Sequence, residues 1–147
     1  MQRHDILIIF RQFRRLYDAM NDEICEKHCV TRLETDIAAC LSNNAELDTA
    51  SDIVEYRMLL KSNVSPAVES LIKKGFLTRE RDENDRRKIH LKLTEKADAL
   101  IHDIRVMQDG FGGELFCGFS ESERNVFSDL LNKMALNAEN VMMKGGK

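Results

Sequence analysis

The segment between residues 62 and 94 constrains the fold more than any other part of the chain. Residues 62–74 have the pattern of an amphipathic helix, and Gly75 is a typical helix stop. Two runs of strand character, residues 76–81 and 88–93, then flank a polar tip. In the second run, basic and apolar residues alternate: Lys88, Ile89, His90, Leu91, Lys92 and Leu93. This alternation predicts a β-hairpin with one buried face and one basic face, and a helix, a glycine and a hairpin in this order predict a winged helix.

The tripeptide Asp85-Arg86-Arg87 lies at the predicted hairpin tip. Alone, so short a pattern is more typical of a solvated surface ribbon than of a binding site. Its position beside a helix that carries Ser, Asn and Lys favours DNA, because such a unit offers both phosphate and base-edge contacts. The hairpin resembles the wing of the MarR family of winged-helix transcription regulators, whose pattern is Asp, any residue, Arg, five residues, Leu and Thr. Asp85, Arg87, Leu93 and Thr94 match every fixed position.

Length and composition indicate a soluble globular chain. It has 147 residues, of which 32% are charged and 43% hydrophobic, and its single Pro and seven Gly favour a mainly helical fold. The N-terminal apolar run at residues 6–10 is too short for the core of a signal peptide, so we expect a cytoplasmic protein without a membrane partner. We expect one mainly α domain with a small β-hairpin wing, in which residues 30–94 form the winged helix-turn-helix.

The distribution of charge favours a DNA partner although the net charge is −3. Residues 57–92 contain ten basic and five acidic residues, a surplus of five positive charges, whereas the rest of the chain has a surplus of eight negative charges. A basic face on an acidic body orients binding to DNA and limits general adhesion to polyanions.

Helix signals occur along the whole chain. The first predicted helix has a single apolar stripe: Ile6, Phe10, Phe13, Tyr17, Met20 and Ile24. Three capping boxes predict later helix starts: Thr31 with Glu34, Thr49 with Asp52, and Ser120 with Glu123. The helix after Thr49 is expected to bury Ile53, Leu59 and one of Tyr56 and Met58.

The helix before Gly75 is the predicted recognition helix. Asn63 or Ser65 is favoured over Ser62 as its N-cap, because Pro66 lacks an N–H and fits only within the first turn. Glu69 is expected either to accept from a cytosine amino group or to point away from DNA. The first turns of such a helix enter the major groove. The predicted contacts are Ser62, Asn63, Ser65, Pro66 and Ala67 near the bases and Lys73 near a phosphate.

The wing supplies the other predicted DNA contacts. Strand alternation places Arg86 and Arg87 on different sides of the ribbon, and the resemblance assigns Arg87 to the minor groove. Asp85 is expected to hold the Arg87 guanidinium extended. Lys88 completes the set, and His90 is interpreted as a surface residue.

The helix that begins near Thr94 is expected to bury Ala97, Leu100 or Ile101, Ile104 and Met107, and to kink or break between Gly110 and Gly113. The resemblance implies that the first and last helices, within residues 1–29 and 95–147, pair two subunits into a homodimer. It also implies an aromatic or phenolic effector near the first helix. Phe13, Tyr17 and Met20 are candidate lining residues, although each is more typical of plain core.

The cysteines leave alternatives open. Cys25 and Cys29 lie four apart on the first helix, where Cβ atoms are ~5–6 Å apart, too far for a disulfide. They are expected to be small buried apolar residues. No metal-ligand spacing supports a zinc site, so no cofactor is expected, but metal or oxidant sensing by Cys25, Cys29, Cys40 or Cys117 stays open.

Two functions fit these features. The first is a DNA-binding transcriptional regulator, in particular a ligand-responsive repressor on a near-palindromic operator. The second is a winged-helix module that binds proteins and not DNA. The basic surplus and the arginines of the wing favour the first, and the lack of a phosphate loop, triad spacing or paired carboxylates argues against an enzyme.

Overall fold

The structure is a computed structural model, and it describes residues 5–145. Its elements are α1 Asp5–His28, α2 Arg32–Asn43, α3 Ala50–Tyr56, α4 Lys61–Lys73, β1 Leu77–Arg81, β2 Ile89–Leu93, a 3-10 turn Glu95–Ala97, α5 Asp98–Leu115 and α6 Glu121–Gly145. This order confirms a mainly α fold with a β-hairpin wing. The ends of the predicted dimerisation segments, residues 1–4 and 146–147, lie outside the described residues. Of the helices described, none is both long and apolar enough to span a membrane.

The chain divides into two compact units. The first ends at Phe111 and the second begins at Gly112. The first unit contains α1 to α4, the hairpin and most of α5, and therefore all the predicted DNA contacts.

All three predicted capping boxes are present. At the start of α2, the Thr31 side chain accepts from the Glu34 amide at 3.2 Å, and the Glu34 carboxylate accepts from the Thr31 amide at 2.6 Å. Thr49 with Asp52 forms the same reciprocal pair before α3, and Ser120 with Glu123 forms it before α6. These side chains satisfy amides that the first helical turn leaves unpaired, so each helix begins at its box.

The core of the first unit is formed by the inner faces of α2 to α5 and of the hairpin. Its largest fully buried apolar side chains are Ile37, Ile53, Val64, Leu71, Leu77, Leu100 and Ile104. The predicted buried face of α5 is confirmed, since Ala97, Leu100, Ile101, Ile104 and Met107 are all buried.

The C-terminal end of α3 differs from expectation. Tyr56 and Met58 are 55% and 78% exposed, whereas one of them was predicted to be buried. The cause is the tight turn after α3, where Met58 has φ +51° and the next residue, Leu59, is partly buried. Met58 lies in this left-handed turn and not in the helix, so helical spacing does not determine the direction of its side chain.

Of the predicted kink or break in α5, the break is wrong. The helix runs through Gly110, Gly112 and Gly113 to Leu115. Each helical glycine costs up to ~1 kcal/mol relative to alanine. Breaking the helix would expose several backbone hydrogen-bonding groups at once, which costs more than the glycines do.

Two buried carboxylates of α2 link it to other helices. Asp36 pairs with Arg14 of α1 at 3.5 Å and with Arg57, immediately after α3, at 2.9 Å. Glu34 pairs with Lys74, at the end of α4, at 2.7 Å. Because each carboxylate is mostly removed from water, its cationic partners are needed to offset the cost of burying it.

Exposed apolar side chains cluster at the N-terminal end of α1 and along α6. In α1 they are Leu7, Ile8, Ile9 and Phe10, and in α6 they include Val126, Leu130, Met134, Leu136, Val141, Met142 and Met143. Scattered apolar residues are normal on a protein surface, but runs of this length along a helix are typical of association sites.

Candidate nucleic-acid interface

The recognition helix begins earlier than predicted. Helix α4 starts at Lys61, and its N-cap, Leu60, makes no side-chain capping bond. The Leu60 carbonyl instead accepts from the amides of Asn63 and Val64, so the backbone alone begins the helix. The predicted caps at Asn63 and Ser65 are therefore wrong. Pro66 lies in the second turn, where the missing N–H leaves one helical hydrogen bond unmade.

The polar side chains of the first turns of α4 face outward. Ser62, Asn63, Ser65, Pro66 and Lys73 are exposed. Ala67, which was predicted to lie near the bases, is only 9% exposed. It lies on the same helical stripe as Val64, Val68 and Leu71, because residues three and four apart share one face of a helix. The prediction for Ala67 is therefore wrong.

The carboxylate of Glu69 pairs with the guanidinium of Arg79 on β1. This ion pair joins the exposed side of the recognition helix to the first strand of the wing. The charge of Glu69 is thus neutralised by a cation of the protein itself. This is a third possibility, besides the two predicted ones of a cytosine contact and a position away from DNA.

The hairpin has the predicted antiparallel form, with Leu77 paired to Leu93 and Arg81 to Ile89. Leu77 and Leu91 are buried, and Leu93 packs against the core. Ile89, which was expected on the buried face, is 42% exposed. The tip end of the hairpin extends beyond the core. Ile89 therefore has no core to pack against, although it has the same strand orientation as Leu91 and Leu93.

The tip is folded around two aspartates. One carboxylate oxygen of Asp82 accepts from the amides of Asn84 and Asp85, at 2.8 and 2.7 Å. The Asp85 carbonyl accepts from the Lys88 amide at 2.9 Å and closes a turn around the two arginines. Such bonds from Asp side chains to nearby amides fix the shape of a turn without a core beneath it.

Two predictions about the tip are wrong. Arg86 and Arg87 are the central residues of a turn and not strand residues, so strand alternation does not separate them. The Asp85 carboxylate accepts from the Arg87 backbone amide at 3.0 Å, and not from its guanidinium. Asp85 therefore fixes the backbone at Arg87 and leaves the exposed guanidinium for other partners.

His90 is not the plain surface residue that was predicted. Its Nδ1 lies 2.8 Å from Oδ1 of Asp48, and its Nε2 lies 3.0 Å from Oδ2 of Asp82. The hydrogen bond to Asp48, followed by the bond to Asp82, raises the pKa of His90 above its ordinary value. Asp48 and Asp82 are distant in sequence, so no local pattern could have revealed this cluster.

A groove of about 650 Å³ separates the wing from the start of α3. Its basic lining residues are Lys61, Arg87 and Lys88, and its acidic ones are Glu46, Asp48 and Asp52. Lys61 was missed because the sequence placed it before the helix, whereas the structure makes it the first helical residue. The groove thus contains cations that can contact phosphates and an equal number of carboxylates.

Of the three candidate effector residues, Met20 lines a cavity of about 460 Å³ between α1 and α5, and Tyr17 and Phe13 do not line that cavity. The Tyr17 ring packs edge-on against Phe111 at 5.3 Å, and its hydroxyl accepts from Gln108 at 3.3 Å. Phe13 contacts the ring of Phe10. Tyr17 and Phe13 thus have packing roles in this structure.

The four cysteines differ in burial. Cys40 is buried and Cys25 is half-buried, and desolvation by burial raises the pKa of both thiols. Cys29 and Cys117 are exposed. The expectation that Cys29 is buried on α1 is wrong, because α1 ends at His28 and Cys29 turns outward with φ +53°.

Comparisons with known proteins agree with this geometry. The sequence model of the MarR family matches residues 30–88, which include the whole helix-turn-helix and the wing tip. The HTH-type transcriptional regulator MhqR of Bacillus subtilis strain 168 is 26% identical over 133 residues, 90% of this chain and 90% of its own. The HTH-type transcriptional regulator PecS of Dickeya dadantii strain 3937 is 29% identical over 123 residues, 81% of this chain and 73% of its own.

The fold is also that of a solved protein. A MarR protein from Peptoclostridium difficile superposes with a TM-score of 0.83 over 98% of this chain and 94% of its own, at 22% identity. A likeness at this identity establishes the fold, and the sequence relatives connect that fold to transcriptional regulation.

Proposed function

We propose that this chain is a member of the MarR family of transcription regulators and a ligand-responsive repressor that binds a near-palindromic DNA operator as a homodimer. The observation that carries the proposal is the joint exposure of the polar first turns of α4 and of the arginine turn at the wing tip, with Lys61 of α4 and Arg87 and Lys88 of the tip lining one groove. A recognition helix and a wing presented in this way can contact a major groove and the adjacent minor groove.

The proposed contacts follow from this arrangement. We assign base-edge contacts to the exposed residues Ser62, Asn63, Ser65 and Pro66, and phosphate contacts to Lys61, Lys73 and Lys88. Arg86 and Arg87 are assigned to the minor groove and its flanking phosphates, and Asp85 orders their backbone. Ala67 is left out because it is buried.

The exposed apolar side chains of α1 and α6 support the dimer. Two winged helices related by a two-fold axis require half-sites one turn apart, ~34–36 Å on B-form DNA. A dimer therefore predicts an inverted repeat in the bound sequence.

The test is a selection of bound duplexes from random DNA, followed by affinity measurements at several salt concentrations. We expect enrichment of an inverted repeat and a linear fall of log affinity with log salt concentration. If no sequence is enriched and the protein passes a DNA column at low salt, it is better described as a protein-binding winged helix.

The cavity between α1 and α5 supports an effector site near the first helix. Its apolar lining residues are Met20, Ile24, Val106 and Met107, and its charged ones are Glu23, Lys27 and Asp103. We propose an aromatic effector that carries a polar group, since a cavity of this kind suits a ring with a polar edge. Such a ligand changes DNA affinity only through its different affinities for the free and DNA-bound conformations.

A panel of aromatic and phenolic compounds, zinc and peroxide tests the regulation. We expect at least one to change operator affinity, and Met20→Trp, which fills the cavity, to abolish the response to an aromatic effector. Met58→Trp, at an exposed methionine outside the cavity, is the matched control. If every compound leaves operator affinity unchanged at saturation, the protein is a constitutive binder.

A further inference from the structure

His90 lies on β2 between two carboxylates that come from different parts of the fold. Nδ1 is 2.8 Å from the carboxylate of Asp48, and Nε2 is 3.0 Å from the carboxylate of Asp82. An ionised carboxylate only accepts hydrogen bonds, and a neutral imidazole donates from only one nitrogen. Both contacts are therefore hydrogen bonds only when the ring is protonated.

The two carboxylates have different structural tasks. Asp82 organises the wing tip, because its second oxygen accepts from the amides of Asn84 and Asp85. Asp48 immediately precedes Thr49, the N-cap of α3, and its carbonyl accepts from the Leu91 amide at 2.7 Å. A protonated His90 thus connects the loop that carries the wing arginines to the start of the helix-turn-helix.

Other charged groups surround this cluster. Glu80 is the cross-strand partner of His90 and pairs with Lys92. Asp52 accepts from the Thr49 amide and hydroxyl, so its charge is already engaged. The remaining charged residues that line the same groove are Glu46, Lys61, Arg87 and Lys88.

The three cations of the groove oppose protonation of His90, but none of them is paired with the ring. The two carboxylates in direct contact outweigh them, and the pKa of His90 is raised, first by Asp48 and then by Asp82. In return, the bond from His90 and then the amides of Asp85 and Asn84 lower the pKa of Asp82 to about 2.

We propose that His90 is a positioning residue of the wing: its imidazolium holds the tip loop against the start of α3, and operator binding weakens when the ring loses its proton. The statement about operator binding rests on the proposed function, whereas the statement about the tip does not.

The direction of the pH effect follows from the bonds. Below the ordinary histidine pKa of 6.5 the ring is protonated whether the wing is docked or loose, and the stabilisation is fully present. As the pH rises through the higher pKa of the docked state, the ring becomes neutral and loses one of its two hydrogen bonds. The tip loop is then less constrained, and the wing arginines sample more conformations in the free protein. Ordering them on DNA costs more conformational entropy, so the affinity for DNA falls.

The free protein provides the first test. An NMR titration follows the imidazole of His90 and the amides of Asn84 and Asp85 between about pH 5.5 and about pH 9. We expect a His90 midpoint above 6.5 and tip amides that titrate with the same midpoint. A midpoint at or below 6.5, or tip amides that do not respond, would overturn the positioning role.

The second test measures affinity for the selected duplex over the same pH range. We expect wild-type affinity to fall by up to about tenfold per pH unit for each site, the limit for loss of one proton. His90→Gln retains a neutral hydrogen-bonding side chain, so it should bind more weakly at low pH and lose most of this slope. Asp48→Asn should also reduce the slope, because it removes a carboxylate that favours the imidazolium.

His28→Gln is the matched control. His28 also touches a carboxylate, that of Asp103 on α5, but it lies outside the wing cluster. This variant should keep the wild-type slope. An unchanged slope in His90→Gln, or a slope lost in His28→Gln and kept in His90→Gln, would overturn the proposal. Failure to bind any duplex would refute the proposed function, while the NMR titration decides the role of His90 at the tip independently.

Discussion

The ammonium nitrogen of Lys74 lies 2.7 and 3.0 Å from the two carboxylate oxygens of Glu34, whose side chain is only 2% exposed. One of these oxygens also closes the capping box at Thr31. A single buried carboxylate thus begins α2 and ties it to the end of α4, so the recognition helix depends on it for its position.

Lys74→Ala should lower the free energy of unfolding by about 2–4 kcal/mol, because it leaves the buried charge of Glu34 without its cation. Chemical denaturation measures this. Lys73→Ala, at the exposed neighbour, is the control and should stay within about 0.5 kcal/mol of wild type. Equal stability of the two variants would contradict the assignment.

The Glu34–Lys74 pair should also make the free energy of unfolding depend on pH. Burial raises the pKa of Glu34, but the bonds from Lys74, Ser70 and Thr31 together hold it below its ordinary 4.5. Its contribution is therefore present above pH 4.5 and is lost as the pH falls through the lower, folded-state pKa. Lys74→Ala removes a cause that lowers the folded-state pKa, so the loss of stability with acid should be smaller in this variant than in the wild type.

Two glycines should respond oppositely to alanine. Gly110 is in the interior of α5, and an added Cβ would meet the Met20 methyl at an ordinary 3.5 Å, so Gly110→Ala should stabilise the protein by up to ~1 kcal/mol. Gly75 has φ +81°, so Gly75→Ala should destabilise it by about 1–2 kcal/mol. Thermal melts of both variants test the pair. A loss of stability in Gly110→Ala would mean that the surroundings of α5 are tighter than the structure indicates.

A charge among the exposed apolar residues of α1 should separate the subunits. Leu7 is 68% exposed, and in the proposed dimer Leu7→Glu would bury an unpaired carboxylate, so the variant should be monomeric at micromolar concentration. Light scattering measures the mass. Met58→Glu, at an even more exposed site on the α3–α4 turn, should remain dimeric. A monomeric wild-type protein would refute the dimer directly.

Arg87→Ala should weaken operator binding and reduce the salt slope by about one unit or less, because one cation near the phosphates is removed. Dimerisation should be unaffected. Affinity titrations at several salt concentrations measure both quantities, with Arg86→Ala as the comparison. Wild-type affinity in Arg87→Ala together with a loss in Arg86→Ala would assign the groove contact to Arg86.

The sequence predicted the elements whose signals are local. Capping boxes such as Thr31 with Glu34 and the strand pattern of β2 depend on residues a few positions apart, so the helix start and the strand were confirmed, although Ile89 of the predicted buried face is exposed. The start of α4 was wrong because Leu60 begins that helix through its backbone, which leaves no side-chain signal.

The sequence predicted where the DNA-binding residues of the wing lie, but it did not predict the contacts that hold the wing in place. The arginines at the tip were found from a short motif, whereas the contact of His90 with Asp48 spans 42 positions and exists only in the folded chain. Ala67 was misplaced because a small residue fits either face of a helix, and only the packing around Val64 and Val68 decides which.

The position of Asp36 between two cations links α1 to the C-terminal end of α3. The guanidinium groups of Arg14 and Arg57 repel each other, and this one carboxylate lies between them. If α1 tilts and Arg14 withdraws, Arg57 is left as the cation that offsets the burial of Asp36, and the repulsion between the two guanidinium groups is relieved. A movement of α1 relative to the C-terminal end of α3 must therefore change how one buried carboxylate is neutralised.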